Sequence, residues 1–172
     1  TYRQSSSIPE RSRQVDPQNL LLSHQARVRV EAEIVRDQAL SAGSRLTSQI
    51  GGPSVFPPQP DGIFDFTQQK KGWPTSQGEQ RFRRTLYTTF YRSAPYPLLT
   101  TFDSPDFSTT CTARARSNTP LQSLAVANDP MFIEISQALA EAVLNKAGSE
   151  VEERLGNMFR RCLARSPTSA EQ

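Results

Sequence analysis

Five prolines, Pro53, Pro57, Pro58, Pro60 and Pro74, cut this 172-residue chain through its middle. Each fixes φ and lacks an amide donor, so neither a helix nor a central strand can run through the stretch. From Gly51 to about Ser76 no hydrophobic period appears, yet Phe56, Phe64, Phe66 and Trp73 are too apolar for a solvated linker. A loop this long inside a compact domain is unusual unless it is functional or tied down. The expectation is that its aromatics pin it onto helices.

Helical signals lie on both sides of the proline stretch. Residues 1–24 are polar and interrupted by Pro9 and Pro17, which predicts coil ending in the apolar patch Leu20, Leu21, Leu22. Val28 and Val30 alternate with Arg27 and Arg29, the pattern of a brief strand. Val35, Ala39, Ala42, Leu46 and Ile50 then form one stripe at 3.6-residue spacing, predicting a helix over 31–50. Gly51 supplies a left-handed cap and Pro53 a stop.

Arg83 to Arg92 is rich in Thr and aromatics and reads as a strand. A helix competes, because Phe82, Leu86 and Phe90 are four apart. Thr119-Pro120-Leu121-Gln122 is a capping box with proline at the first helical position. Asp129-Pro130 opens a further helix with Phe132, Ile135, Leu139 and Val143 on one stripe, ending at Gly148. Ser149 to Glu152 reads as a second box, opening a helix that turns Val151, Leu155, Met158, Phe159 and Cys162 inward. Thr168 to Glu171 is a third box with almost no chain behind it. Together with an opening at Thr1, this predicts a single-domain fragment, 1–172, truncated at both ends.

Composition narrows the function classes. The hydrophobic share is 35%, against about 45–50% for an ordinary globular domain, so the core is thin and neighbours are expected to cover part of the surface. A net charge of +3 with acidic residues interleaved argues against a nucleic-acid face. No apolar run approaches the roughly 18–20 residues of a membrane span. His24 is the sole histidine, which removes metal sites needing two. Cys111 and Cys162 sit in no C-x-x-C frame and read as small buried apolar groups. A nucleophilic Cys111 would need a nearby base, and the sole histidine, His24, is far away in sequence.

The polar constellation with chemical potential joins Arg83, Arg84 and Arg92 to Asp103, Asp106, Arg114, Arg116 and Asn118. Were the Phe102–Asp106 loop to fold beside the strand, Asp103 would accept one of these arginines in bidentate contact, which makes a structural salt-bridge network the plain expectation. The sharper one is an anionic-sugar or carboxylate pocket drawn from Arg83, Arg92, Asp103, Arg116 and Asn118, with Trp73 or Tyr96 as a stacking platform. Asp103 and Asp106 would then be the acid and base of glycoside hydrolysis.

Ordered blocks carry a resemblance: Tyr2-Arg3-Gln4-Ser5-Ser6, Asn19-Leu20-Leu21, Arg36-Asp37-Gln38-Ala39-Leu40 and Gly51-Gly52-Pro53-Ser54-Val55. Arg83-Arg84-Thr85-Leu86-Tyr87, Phe102-Asp103-Ser104-Pro105, Ser117-Asn118-Thr119-Pro120-Leu121-Gln122-Ser123-Leu124, Asn128-Asp129-Pro130 and Arg165-Ser166-Pro167-Thr168 continue them. The chain resembles the C-terminal domain of unknown function DUF1553 of planctomycete-type proteins, which often carry a cytochrome c-like domain as well. The resemblance implies an extracytoplasmic location (periplasm or cell surface). It places any haem in a different domain, leaving no cofactor here, and it implies no catalytic residue. Where that family opens its first long helix with a small polar or acidic cap, this chain has Glu31, a poorer cap.

The architecture expected is therefore mainly α: four substantial helices, long Pro-rich ordered loops, and a small β element from Arg83–Arg92 and Val28–Val30. The function expected is an accessory or scaffold module that docks against sibling domains of a multidomain protein. The alternative is a carbohydrate-active or redox-linked enzyme domain, with polysaccharide as partner and Asp103 among the arginines of its pocket.

Overall fold

A computed structural model of the chain describes residues 4–65, 67–68, 72–146, 148 and 150–172. Tyr2 and Arg3 of the first block, the loop aromatic Phe66 and the capping Ser149 lie outside the described residues. The chain divides into two compact units, Thr1–Val30 and Glu31–Gln172.

The first unit contains a short helix, α1 (Glu10–Val15), where the sequence predicts coil. None of its residues is buried, so no apolar stripe could have announced it. Order in this unit comes from Asp16, whose buried carboxylate accepts the Leu20 and Leu21 amides at 2.7 and 2.8 Å. The apolar patch Leu20, Leu21 and Leu22 stands exposed. Val28–Val30 is coil rather than strand, because alternation alone supplies no partner for the backbone.

In the second unit the long predicted helix is α2, Ala32–Ala42, eight residues shorter at its end than expected. Ser44 takes a left-handed conformation (φ 57°). Its amide bonds the Ser41 carbonyl at 3.1 Å, and the Arg45 amide bonds the Leu40 carbonyl at 2.9 Å. That pair is a Schellman termination. Gly43 sits at the stop because a Cβ there would lie 3.0 Å from the Ile135 carbonyl oxygen. Leu46 and Ile50 consequently leave the stripe, and Ile50 is exposed. Glu31 does occupy the cap position and makes no side-chain capping bond.

Further along come α3 (Pro97–Thr101), α4 (Pro120–Asn128), α5 (Pro130–Lys146) and α6 (Val151–Leu163). The Thr119 capping box forms as predicted, and Asp129 caps α5 by accepting the Met131 amide at 2.8 Å. α2 contacts α3, α5 and α6. One apolar cluster joins Ala32 to Tyr96, Leu98, Leu99 and Phe132, and a second joins Leu40 to Met131 and Ile135. Ala39 packs against both, so α2 is the element through which the core is continuous.

Arg83–Arg92 is not a strand. One 3-10 turn, Gly78–Phe82, precedes it and a second, Thr85–Tyr87, lies within it. Among the described residues only isolated parallel bridges form, Thr47 to Arg83 and Val55 to Thr88. The prolines around Val55 stop its segment from extending the pairing into a ladder. The same segment is pinned as expected. Trp73 donates its indole N–H to the Pro57 carbonyl at 2.6 Å and stacks on Tyr96 at 5.9 Å between centroids. Phe56, Phe64 and Tyr91 complete the aromatic cluster.

α6 departs most from its sequence. Val151, Met158 and Cys162 are exposed, while Leu155 and Phe159 are half-buried; Gly156 is its one fully buried residue. Polar contacts tie the helix to α2 instead: Arg161 donates to the Ala42 carbonyl at 3.0 Å and to Ser44 Oγ at 2.7 Å. α4 is similar, with Gln122 buried and Leu121 and Leu124 exposed.

Candidate functional site

The start of α2 forms one wall of an open cleft of about 830 Å³, within the roughly 300–1,000 Å³ of small-molecule and cofactor sites. Glu31, Glu33, Ile34 and Asp37 come from α2, Arg84 and Leu86 from the second 3-10 turn, and 111–116 closes the far side. Arg114 donates to both Glu31 and Glu33, at 2.9 and 2.7 Å, and Arg116 reaches Glu31 at 3.0 Å. The Arg116 hydrogen bond, with the positive charge of Arg114 beside it, holds Glu31 below the usual carboxylate range. Glu33 in turn raises the Arg114 guanidinium further above its ordinary value. The cap that Glu31 does not provide to α2 is thus replaced by an ion-pair network binding the helix start to 111–116.

Beneath the cleft the polar groups are structural. Arg36 is fully buried; its Nη1 and Nη2 donate to the Arg83 and Arg81 carbonyls, each at 2.8 Å. Burial lowers its pKa from the ordinary arginine value. Asp37 accepts from the Thr85 amide at 2.7 Å, the Thr85 hydroxyl at 2.8 Å and Arg84 Nε at 2.9 Å. Burial likewise pushes the Tyr96 phenol and the Asp129 carboxyl up.

The residues singled out from sequence are spread over the unit. Arg83 is buried beneath the glycine turn, donating to the Gly51 and Pro53 carbonyls and lying 4.0 Å from the Tyr87 ring centroid. Arg92 is exposed. Asp103, left-handed at φ 63°, accepts the Ser117 amide and hydroxyl, each at 2.7 Å, next to Asn118. Asp106 accepts from Ser108 in a local turn, and that hydroxyl's bond lowers its pKa. Trp73 belongs to the aromatic cluster. Of the constellation, Arg84, Arg114 and Arg116 line the cleft, and of the narrower candidate pocket only Arg116 does. Cys111, also in its wall, and Cys162 are exposed free thiols rather than buried ones. Among the described residues no group of three or more His, Cys, Asp or Glu is placed to hold a metal ion.

A family model described as "PSD1: Protein of unknown function (DUF1553)" matches residues 1–172. The chain belongs to the DUF1553 family. No curated protein and no solved structure matches it. For this DUF1553 chain, then, function rests on its own geometry. Ile34, Glu33, Asp37 and Leu86 went unread in the sequence, since nothing in residues 31–37 distinguishes a cleft wall from a solvated helix face.

Proposed function

We propose that this chain is an accessory docking module of a larger, extracytoplasmic multidomain protein, with no reaction of its own. The observation that carries the reading is the inversion of α4 and α6. α4 turns Leu121 and Leu124 outward and attaches inward through Gln122, while α6 exposes Val151, Met158 and Cys162, half-buries Leu155 and Phe159, and is tied to α2 by Arg161. Gln122 donates to the Thr101 carbonyl at 3.0 Å and to Ser117 Oγ at 3.1 Å while completing the Thr119 box. Exposed apolar side chains gathered on a helix face mark interaction surfaces. The buried arginines Arg36 and Arg83 hold backbone carbonyls rather than facing a substrate. The family resemblance supports the extracytoplasmic setting and sibling domains as partners.

The test is the double variant Leu124→Asp with Met158→Asp. Expressed alone, it is expected to keep the wild-type helical circular dichroism and to bind less anilinonaphthalene sulfonate. In the multidomain protein the same changes are expected to release the domain to limited proteolysis. A wild-type chain that is monodisperse at high concentration and binds no dye would remove the basis for docking.

A further inference from the structure

We propose that the channel along one face of α2 binds an extended peptide segment of a partner protein, with one carboxylate side chain flanked by apolar residues. This deepens the docking reading and rests on it. Ile34, Asp37, Gln38 and Ser41 recur at helical spacing on one face of α2. The cleft described above and a second hollow of about 390 Å³ lie along that face. Asp37 and Arg84 stand in the walls of both.

Arg84 decides the chemistry. Its Nε is bound to Asp37, which is 8% exposed and is itself fixed by Thr85. Among the described residues neither Nη of Arg84 has a hydrogen-bond partner. The guanidinium is therefore held by one edge with its forked donors left over, the arrangement that takes a carboxylate in bidentate contact. Because the side chain is already ordered, little freedom is lost on binding.

Apolar side chains flank the fork on either side. Leu86 and Ile34 line the larger hollow; Leu46 and Ile50 line the smaller. Leu86 and Ile50 are 71% and 91% exposed, far more than such side chains need be when nothing covers them. The eleven residues of α2 span roughly 16 Å, the length of about five extended residues. Alternate side chains of an extended segment point the same way. The motif that fits is an acidic residue with an apolar residue two positions away on each side. An acidic polysaccharide would satisfy Arg84 and leave Leu86 and Ile50 in water, which is why a peptide is favoured.

The experiment is panning of a random dodecapeptide phage library on the immobilised chain, followed by fluorescence-anisotropy titration of the enriched peptides. Enrichment of the acid-centred motif is expected. Arg84→Gln should weaken those peptides about tenfold, and replacing the peptide's own acid by its amide should cause the same loss without adding to it. Leu86→Ser and Ile50→Ser, both at exposed positions, should each weaken binding while leaving the melting temperature in place, so a misfolded Arg84 variant would not shelter the idea. Three results overturn it: no enriched motif, enriched peptides indifferent to the Leu86 and Ile50 variants, or oligogalacturonate binding with the same Arg84 dependence while peptides fail. Because the α4 and α6 variants do not touch Arg84, loss of the channel and loss of the docking reading remain separable.

Discussion

Among the described residues Arg36 and Arg83 are the two largest side chains with no exposed surface, and both end on backbone carbonyls. An arginine in that position acts as a strut: it satisfies acceptors that an irregular, proline-cut chain cannot pair in a ladder. Arg36→Met would leave the Arg81 and Arg83 carbonyls without donors and is expected to cost about 3–5 kcal/mol. Leu86→Ala, at an exposed position, should cost under about 0.5 kcal/mol. Urea melts of the two variants give the comparison, and equal midpoints would refute the strut. Glu171 titrates in the opposite direction from the buried carboxyl of Asp129. A hydrogen bond from Arg165, then one from the Thr168 amide, holds it down to about 2 from an ordinary 4.5. Because the folded pKa is the lower one, its contribution is complete above pH 4.5 and disappears as the pH falls toward 2. Carbon-13 titration of the Glu171 carboxyl should show this, with Arg165→Ala moving it back toward 4.5; a wild-type midpoint near 4.5 would show that the latch does not form in solution. The Thr168–Glu171 bond is the contact of the third capping box read from the sequence, whereas the partners of Arg36 and Arg165 were not legible there. A charged residue is usually solvated, and only the positions of distant carbonyls make Arg36 a core residue.

Element boundaries followed local chemistry where that chemistry was complete. The Thr119 box opens α4 and Asp129 caps α5, both as read from the sequence. Thr119→Ala is expected to cost about 1 kcal/mol. Ala164, which closes α6 at φ 54°, carries the opposite prediction. Ala164→Gly relieves a left-handed alanine and should stabilise by about 1 kcal/mol. Thermal melts that moved both variants the same way would discount the capping account. The 31–50 stripe does not show the end of α2 for a tertiary reason: the stop at Gly43 depends on Ile135 lying beside it. α6 covers only part of the face its spacing predicts, Leu155 and Phe159. Its stripe is a property of spacing, whereas which face is covered depends on Arg161 finding the end of α2.

For the whole molecule, the helical class, the capped starts and the draping of the proline-rich segment were determined by the sequence itself. Those features depend on backbone rules that act within a few residues: proline's missing donor, a side-chain cap, an apolar residue every third or fourth position. The Arg83–Arg92 segment shows where such rules stop. Its β propensity is genuine, but a strand needs a partner of matching length, and Val55 sits among prolines. Tertiary structure alone decided that charge would fill the interior around α2 and that apolar side chains of α4 and α6 would face outward. It also decided that a cleft would open beside Arg84 rather than around Asp103. Each of those outcomes depends on groups tens of residues apart meeting at hydrogen-bonding distance, and no local pattern of residues encodes that meeting.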